Sequence, residues 1–195
     1  MYYSPEGRAA VYHSAVLRCS FDGESLRVLE IGNSLTVPKG RGLYEPSLVC
    51  HKGKYYMTLR ADDCAMVSES SDGLRYSEPT LWRWDDGEAL DSYNTQQHWM
   101  RVGDELWLVY TRRGANNDHV FRHRAPLFAA RVENMRLVIS EETVVVPERG
   151  ARLGNFCATA LPDGRGAVMA AEWMQPAGCE KYGSDNAIFL TVIDK

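Results

Sequence analysis

No stretch of this 195-residue chain approaches the roughly 18 consecutive apolar residues that a membrane-crossing helix needs. The opening segment, Met1-Tyr2-Tyr3-Ser4-Pro5-Glu6-Gly7-Arg8, lacks the basic-then-apolar pattern of a secretory leader. Cysteine is scarce and unpaired in pattern. The five residues (Cys19, Cys50, Cys64, Cys157, Cys179) are an odd number without a CxxC, which argues against a zinc site or a closed disulfide framework. Free thiols, mostly buried, are expected. An excess of positive charge is missing too: 22 Lys and Arg face 26 Asp and Glu, a net charge of −4 that argues against nucleic acid as the main partner. Nor does any segment of twelve or more residues carry a clean helical period. What remains, 25% charged and 45% hydrophobic residues, is ordinary for one globular domain able to bury a substantial core.

Short strand signals are abundant. They fall at Ala9–Arg18, Leu26–Ile31, Pro46–Cys50, Tyr55–Arg60, Cys64–Ser68, Gln96–Val102, Leu106–Thr111, Leu127–Val132, Leu137–Ser140, Ala158–Leu161, Ala167–Trp173 and Ala187–Ile193. Turn clusters such as Lys52-Gly53-Lys54, Val102-Gly103-Asp104 and Pro162-Asp163-Gly164 separate them, so the class is all-β. Asn116–Arg124 reads as a helical turn or a loop.

A pattern repeats within this strand series. Ser20-Phe21-Asp22-Gly23-Glu24-Ser25-Leu26 and Ser70-Ser71-Asp72-Gly73-Leu74-Arg75-Tyr76 share S-x-D-G-x-x-(large apolar), 50 residues apart. Asp-Gly between apolar runs is a hairpin signal, because Gly tolerates positive φ and Asp bonds nearby backbone. A weaker echo leads from Pro126-Leu127-Phe128 into Val132-Glu133-Asn134-Met135-Arg136-Leu137, and a fourth starts at Ala187. A period of 50–60 residues suits the four-stranded blade of a β-propeller, with repeats near 1–40, 41–90, 91–150 and 151–195 of a single partial domain. Three repeats and a terminal half-repeat do not close a ring. The chain is therefore expected to be the C-terminal part of a longer protein, or else to close by self-association through its open blade edges.

The longest insertions follow the second strand of the third and fourth repeats, which groups them on one face, the usual binding face of a repeat protein. One, Thr111-Arg112-Arg113-Gly114-Ala115-Asn116-Asn117-Asp118-His119-Val120-Phe121-Arg122-His123-Arg124, is basic within an acidic chain. It reads either as a site for an anion, which Arg grips bidentately, or as a solvated salt-bridged loop. Glu45 and Arg60 sit at the meeting ends of one hairpin, as a rim pair or an ordinary ion pair. Arg149–Phe156 and Glu172–Asn186 bring further arginines, carboxylates and aromatics, the composition of a carbohydrate site. Trp99 and Trp173 read as blade packing or sugar stacking. His98 reads as a general acid/base or a satisfied structural histidine.

On these residues the chain resembles the sialidase (BNR-repeat) propellers. Ser70–Pro79 resembles their Asp-box, one residue short of the S-x-D-x-G-x-T-W form. Glu45-Pro46-Ser47-Leu48 with Gly53 and Arg60 resembles the segment carrying a Glu and the second arginine of a carboxylate-binding triad. His98-Trp99, Thr111–His119, Pro147–Phe156 and Glu172–Asn186 resemble a bacterial subgroup of the family. The resemblance implies a six-bladed glycoside hydrolase cleaving terminal acidic, sialic-acid-type sugars with retention, and an exported parent protein. It implies Tyr182 as nucleophile, a known exception to the two-carboxylate rule. Glu45 would polarise that tyrosine, and Arg60 and Arg152 would hold the substrate carboxylate. Asp118 and His119 are acid/base candidates, since the family's own acid/base Asp and first arginine belong to blades absent here. Arg112, Arg113, His98, Asn155 and Trp173 complete the expected substrate contacts, with no cofactor or metal. Two further readings remain. One is a non-catalytic carbohydrate-binding propeller; the other is an arabinanase-type five-bladed enzyme using Glu45, Asp118 and Glu172.

Overall fold

The computed structural model describes residues 2–3 and 11–194. The expected first strand began at Ala9; Ala9 and Ala10 lie outside the described residues, and pairing there starts at Val11. The first unit comprises β1 (Tyr2–Tyr3) paired with β2 (Val11–Tyr12), then the hairpin β3 (Leu17–Phe21) and β4 (Leu26–Ile31). The second is an antiparallel four-stranded sheet, β5 (Tyr44–His51), β6 (Lys54–Arg60), β7 (Ala65–Ser70) and β8 (Thr80–Leu81), in that spatial order. The third runs β9 (His98–Val102), β10 (Glu105–Tyr110) and β11 (Leu127–Glu133), with β12 (Arg136–Leu137) and β13 (Thr143–Val146) both paired to β11. The fourth has β15 (Cys157–Ala160), β16 (Gly166–Trp173) and β17 (Ile188–Ile193), with the short β14 (Arg152–Leu153) on the end of β16. The strands thus fall into four successive antiparallel units along the chain, the second and third the fullest.

The turns have local causes. In both S-x-D-G copies the Asp side chain accepts backbone N–H bonds two and three residues on: Asp22 from Glu24 and Ser25, Asp72 from Leu74 and Arg75. Ser70 Oγ adds a bond to Asp72 in the second copy. The third echo closes differently. Asn134 and Met135 both take positive φ, 48° and 61°, joining β11 to β12 as a two-residue turn whose twist matches the strands. The expected strand at Leu137–Ser140 is corrected: pairing ends at Leu137 and a 3₁₀ turn takes Ile139–Glu141. Val138 N–H bonds back to Arg131 O, turning the chain so that Thr143–Val146 supplies the outer strand instead.

Packing between blades makes the core. Trp82, Trp99, Leu108, Tyr110 and Phe128 fill the space between blades two and three. Trp99 is buried, and its Nε1 donates to Ser47 O at 3.0 Å, tying the inner strands of adjacent blades. Trp82 meets it edge-on at 5.5 Å and donates to Thr58 Oγ1. Trp99 is therefore packing, the first of its two readings. Val102, Val109, Leu127, Phe156 and Val168 play the same part between blades three and four. Such buried, interdigitated side chains fix the blades' relative positions, and with them the ends of the strands where chemistry-bearing residues lie.

Candidate functional site

The inner strands β5, β9 and β15 begin, and the second strands β6, β10 and β16 end, at one end of the blades. That end gathers Glu45, Arg60, His98, Asn155 and Trp173, and both long insertions leave from it.

Three arginines from three blades are buried there: Arg60 at 6% exposure, Arg124 at 5% and Arg152 at 6%. They are poorly neutralised. Arg60 NH1 bonds Glu45 Oε2 at 2.6 Å and NH2 bonds Asn94 Oδ1 at 2.5 Å, but its Nε is buried without a partner. Among the described residues, the Arg124 guanidinium makes one long bond, 3.4 Å, to Asn155 Oδ1. Arg152 packs its guanidinium 3.7 Å above the Trp173 ring and also leaves a buried Nε unpartnered. Burial, then the repulsion of Arg60 and Arg152, draws Arg124 down to about 10. Burial and Arg122 lower Arg152 as well. Buried cations are normally paired, so a cluster with spare donors has the electrostatics of an anion site.

Beside it, a cleft of about 470 Å³ is lined by Tyr12, Arg41, Tyr44, Glu45 and Arg60 among others. Tyr44 lies between two guanidiniums, Arg41 at 4.8 Å and Arg60 at 5.0 Å from its ring centre. Its hydroxyl donates to Asp62 Oδ1 at 2.7 Å and accepts from Arg41 at 2.7 Å. Burial opposes ionisation of Asp62, yet the Arg41 and Tyr44 bonds outweigh it and hold the carboxyl at about 2. Burial and Asp62 push the Tyr44 phenol up, so it stays protonated. His98 stands edge-on to Phe156 at 5.0 Å; burial lowers its pKa against the pull of Glu45, leaving it neutral near pH 7. A larger cleft, about 820 Å³, lies on the opposite rim around Lys52, Lys54 and Arg131, where Lys54 pairs with Glu69 and Arg131 with Glu105 and Glu133.

The basic insertion divides. Arg112 is committed to Glu142 through two bonds, 2.8 and 2.6 Å, and Tyr110 OH shares that carboxylate. Arg113 pairs with Asp91 and stacks on Tyr93 at 4.2 Å. Asn117, fully buried, donates to Arg112 O and Ala125 O and staples the loop shut. Of the two readings of Asn116–Arg124, a helical turn or a loop, the segment is mostly loop, with a 3₁₀ turn at Phe121–His123 in which Arg122 and His123 take positive φ. Asp118 is almost wholly exposed, 3.7 Å from His123.

The fourth-blade insertion places Tyr182 against His119, ring centres 4.5 Å apart. His119 Nε2 bonds Glu148 Oε1 at 3.0 Å, and the same carboxylate accepts the Gly150 N–H. Gly150 has φ +93°, and a Cβ there would lie 2.7 Å from Tyr182 Cβ, so the turn must be glycine for the tyrosine to sit this close. Glu172 is buried and saturated, accepting from Asp185 N, Ala187 N and Arg149.

The structure thus brings Glu45, Arg60, Arg152, His98, Asn155 and Trp173 to one rim. It gathers Tyr182, His119 and Asp118 in the adjoining insertions, and ties Arg112 and Arg113 into ion pairs within the loop. Glu45, Asp118 and Glu172 have separate partners: Arg60, His123 and Arg149. Sequence reasoning missed Arg124, Glu148 and the Tyr44–Asp62–Arg41 network. Arg124 carried one usable signal, since it directly precedes the buried strand opening at Ala125-Pro126-Leu127 and so is drawn into the core, unlike Arg112 and Arg113.

No family model matches the chain, and neither does any curated protein. Solved structures do. A Dyadobacter fermentans protein of unknown function is 16% identical with a TM-score of 0.59, over 99% of this chain and 52% of that one. Sucrose-6-phosphate hydrolase from Lactobacillus gasseri is 15% identical with a TM-score of 0.61, over 100% and 43%. The Trypanosoma rangeli sialidase solved with sialic acid is 14% identical with a TM-score of 0.55, over 93% and 27%. At such identities the likeness is one of fold, and the fold is the β-propeller. The chain spans about half or less of the length of these structures.

Proposed function

We propose that this propeller is the sugar-handling part of a glycoside hydrolase acting on a carboxylated, sialic-acid-type sugar. The observation that carries the reading is the cluster of Arg60, Arg124 and Arg152, buried and underneutralised, with the Nε of Arg60 and of Arg152 lacking a partner among the described residues. A neutral sugar would leave those cations uncompensated; a carboxylate would satisfy them. The fold likeness to a sialidase and a sucrose-6-phosphate hydrolase agrees with a glycosidase.

In this reading the three arginines and Asn155 hold the carboxylate, Trp173 floors the sugar, and neutral His98 bonds a hydroxyl. Tyr182 Oη attacks the anomeric carbon as the glycosidic C–O bond breaks. His119, oriented by Glu148, takes the phenolic proton, and Asp118 on the rim gives its proton to the leaving oxygen. Water then displaces the tyrosine, passing a proton to Asp118, while His119 returns its own to Tyr182. Glu45 keeps Arg60 aimed and adds negative charge near the oxocarbenium-like state. An uncharged nucleophile suits an anionic substrate, which a carboxylate would repel.

Titration calorimetry tests the anion site. A sialic-acid analogue such as the didehydro inhibitor is expected to bind, sucrose is not, and Arg124→Ala should weaken binding by about 10- to 100-fold, the range of one charge-assisted hydrogen bond. Equal binding of the neutral sugar would overturn the assignment. Hydrolysis of a fluorogenic sialoside should vanish in Tyr182→Phe while the analogue still binds. A wild-type chain that binds without hydrolysing is instead a carbohydrate-binding propeller, a reading favoured by the half-exposed Trp173.

A further inference from the structure

A groove of about 470 Å³ lies between the basic insertion and Pro176 of the fourth-blade insertion. Tyr93, Phe121 and Pro176 give it apolar walls, and Asp118, His119 and Arg122 bring polar groups to it. It opens beside the chemistry proposed above. His119 packs against Tyr182 with ring centres 4.5 Å apart. Asp118, which in that reading protonates the leaving oxygen, stands on the same groove.

The loop that carries the groove is anchored at both ends. Val120 is buried in the core between blades three and four, and Asn117 closes the loop's base by donating to Arg112 O and Ala125 O. Between these anchors Arg122 and His123 take φ of 59° and 52°, a left-handed conformation that L side chains rarely adopt. The His123 N–H donates to Val120 O at 2.9 Å, and its ring stands edge-on to Tyr93. Strain held in place by its surroundings points to a use for the residue it presents, and the residue presented here is an exposed arginine. The charge of Arg122 is uncompensated. Arg112 has Glu142 and Arg113 has Asp91, but among the described residues no carboxylate pairs with Arg122; Asp118 faces His123 Nδ1 instead, at 3.7 Å. The Arg122 guanidinium lies 5.2 Å from the Phe121 ring centre, and that of the buried Arg152 lies 5.1 Å from the same centre. Phe121 therefore joins the groove to the arginine rim. Burial, then Arg122, lowers the pKa of Arg152, so the two cations repel. A cation held beside other cations, with no acid of its own, draws anions to its surface and rewards one that binds.

We propose that this groove is the subsite for the leaving group and that it takes a second carboxylated sugar, with the carboxylate on Arg122 and the C–H groups against Phe121 and Pro176. The inference rests on the sialic-acid-type reading, in which Arg60, Arg124 and Arg152 hold the carboxylate of the first sugar. The scissile oxygen then lies between Tyr182 and Asp118, with one acidic sugar on each side of it. The substrate class narrows from any terminal acidic glycoside to an acidic sugar linked to another acidic sugar. Arg122 acts on which leaving group is accepted, whereas the buried arginines act on the sugar that is cleaved off.

Titration calorimetry in the Tyr182→Phe background, which stops turnover, compares three probes. They are the didehydro analogue, sialyllactose with its neutral leaving group, and a disaccharide of two sialic-acid residues. The two-acid disaccharide is expected to bind about tenfold or more tighter than sialyllactose, the range of one charge-assisted hydrogen bond. Arg122→Asn removes the charge, and Asn tolerates the left-handed backbone, so the loop is not destabilised by the change. It should erase the difference between the disaccharides while shifting the affinity of the analogue by less than about threefold, and Arg122→Lys should retain most of the difference. Equal binding of the two disaccharides before the change, or a preference that survives Arg122→Asn, would overturn the subsite. So would an equal loss across all three probes, which would make Arg122 a ligand of the first carboxylate. If the analogue itself does not bind, the sialic-acid-type reading fails and the subsite falls with it, a result distinct from the other three.

Discussion

Replacing Arg124 by Met should make the protein more stable and less able to bind. The guanidinium is buried, its one hydrogen bond is 3.4 Å long, and its charged neighbours are mostly other arginines. Holding it at about 10, well below its ordinary value, corresponds to about 3 kcal/mol of unfavourable free energy for the charged form, at about 1.4 kcal/mol per factor of ten in proton affinity. The penalty belongs to the folded state and is fully present at every pH below about 10, because the folded protein would release this proton before the unfolded chain does. Methionine retains much of the buried stem and removes the charge. Lost contacts with Asn155 and imperfect packing offset part of the gain, leaving a net stabilisation of about 1–2 kcal/mol, the scale seen when buried charges give way to apolar side chains. Urea unfolding at pH 7 followed by tryptophan fluorescence, with five tryptophans as reporters, reads this directly. In parallel, affinity for the didehydro sialic-acid analogue should fall about 10- to 100-fold. A variant destabilised by 2 kcal/mol or more would refute the reasoning, because Arg124 would then be a structural cation with compensation in the fold rather than one held for a ligand.

The opposite result is expected at Glu142→Ala. It strands Arg112 and the Tyr110 hydroxyl together and should cost about 2–4 kcal/mol in the same unfolding assay, without the selective loss of binding expected at Arg124. Gly150→Ala should add clashes with Cys179 O and Tyr182 to a positive-φ penalty of about 1 kcal/mol, so both stability and hydrolysis fall; unchanged turnover would dissociate Tyr182 from the chemistry. For His98, whose pKa is lowered by burial, the unfolded chain binds a proton more readily than the folded one. Stability should therefore fall as pH drops through about 6.5, and His98→Phe should flatten that part of the urea-midpoint profile.

Much of the fold was legible because blades advertise themselves locally. The Asp22 and Asp72 turns depend on side chains bonding backbone two or three residues away, and such short-range chemistry survives in a one-dimensional pattern. Inter-blade contacts do not. Trp99 could be read as packing or stacking until its Nε1 was found on Ser47 O, 52 residues away in the chain. Thr143–Val146 was missed for a related reason: its pairing with β11 follows from a turn set by a backbone bond from Val138 to Arg131, which no side-chain pattern reports.

The site was legible only in outline, because an arginine's role here depends on which acid lies near it in space. Arg112, Arg113 and Arg124 share one loop and are indistinguishable by composition, yet Glu142 and Asp91 neutralise the first two while nothing comparable meets the third. Those acids come from the stretch before β13 and from the segment before β9, so the partition is tertiary. Arg60 was recognisable because its acid, Glu45, stands across the same hairpin. We infer that Arg124, at the re-entry of an insertion into its blade, is the cation left for a ligand, because backbone constraint holds a charge there that no local acid meets, whereas Arg60 has Glu45. If so, moving an acid next to Arg124 should silence the site without unfolding it. Asn155→Asp places a carboxylate at the atom Arg124 already touches, 3.4 Å away. It should change stability little, since Asn155 is exposed and the new pair would be half-solvated, and abolish carboxylate binding, whereas a variant that binds as before would show that Arg124 does not face the ligand.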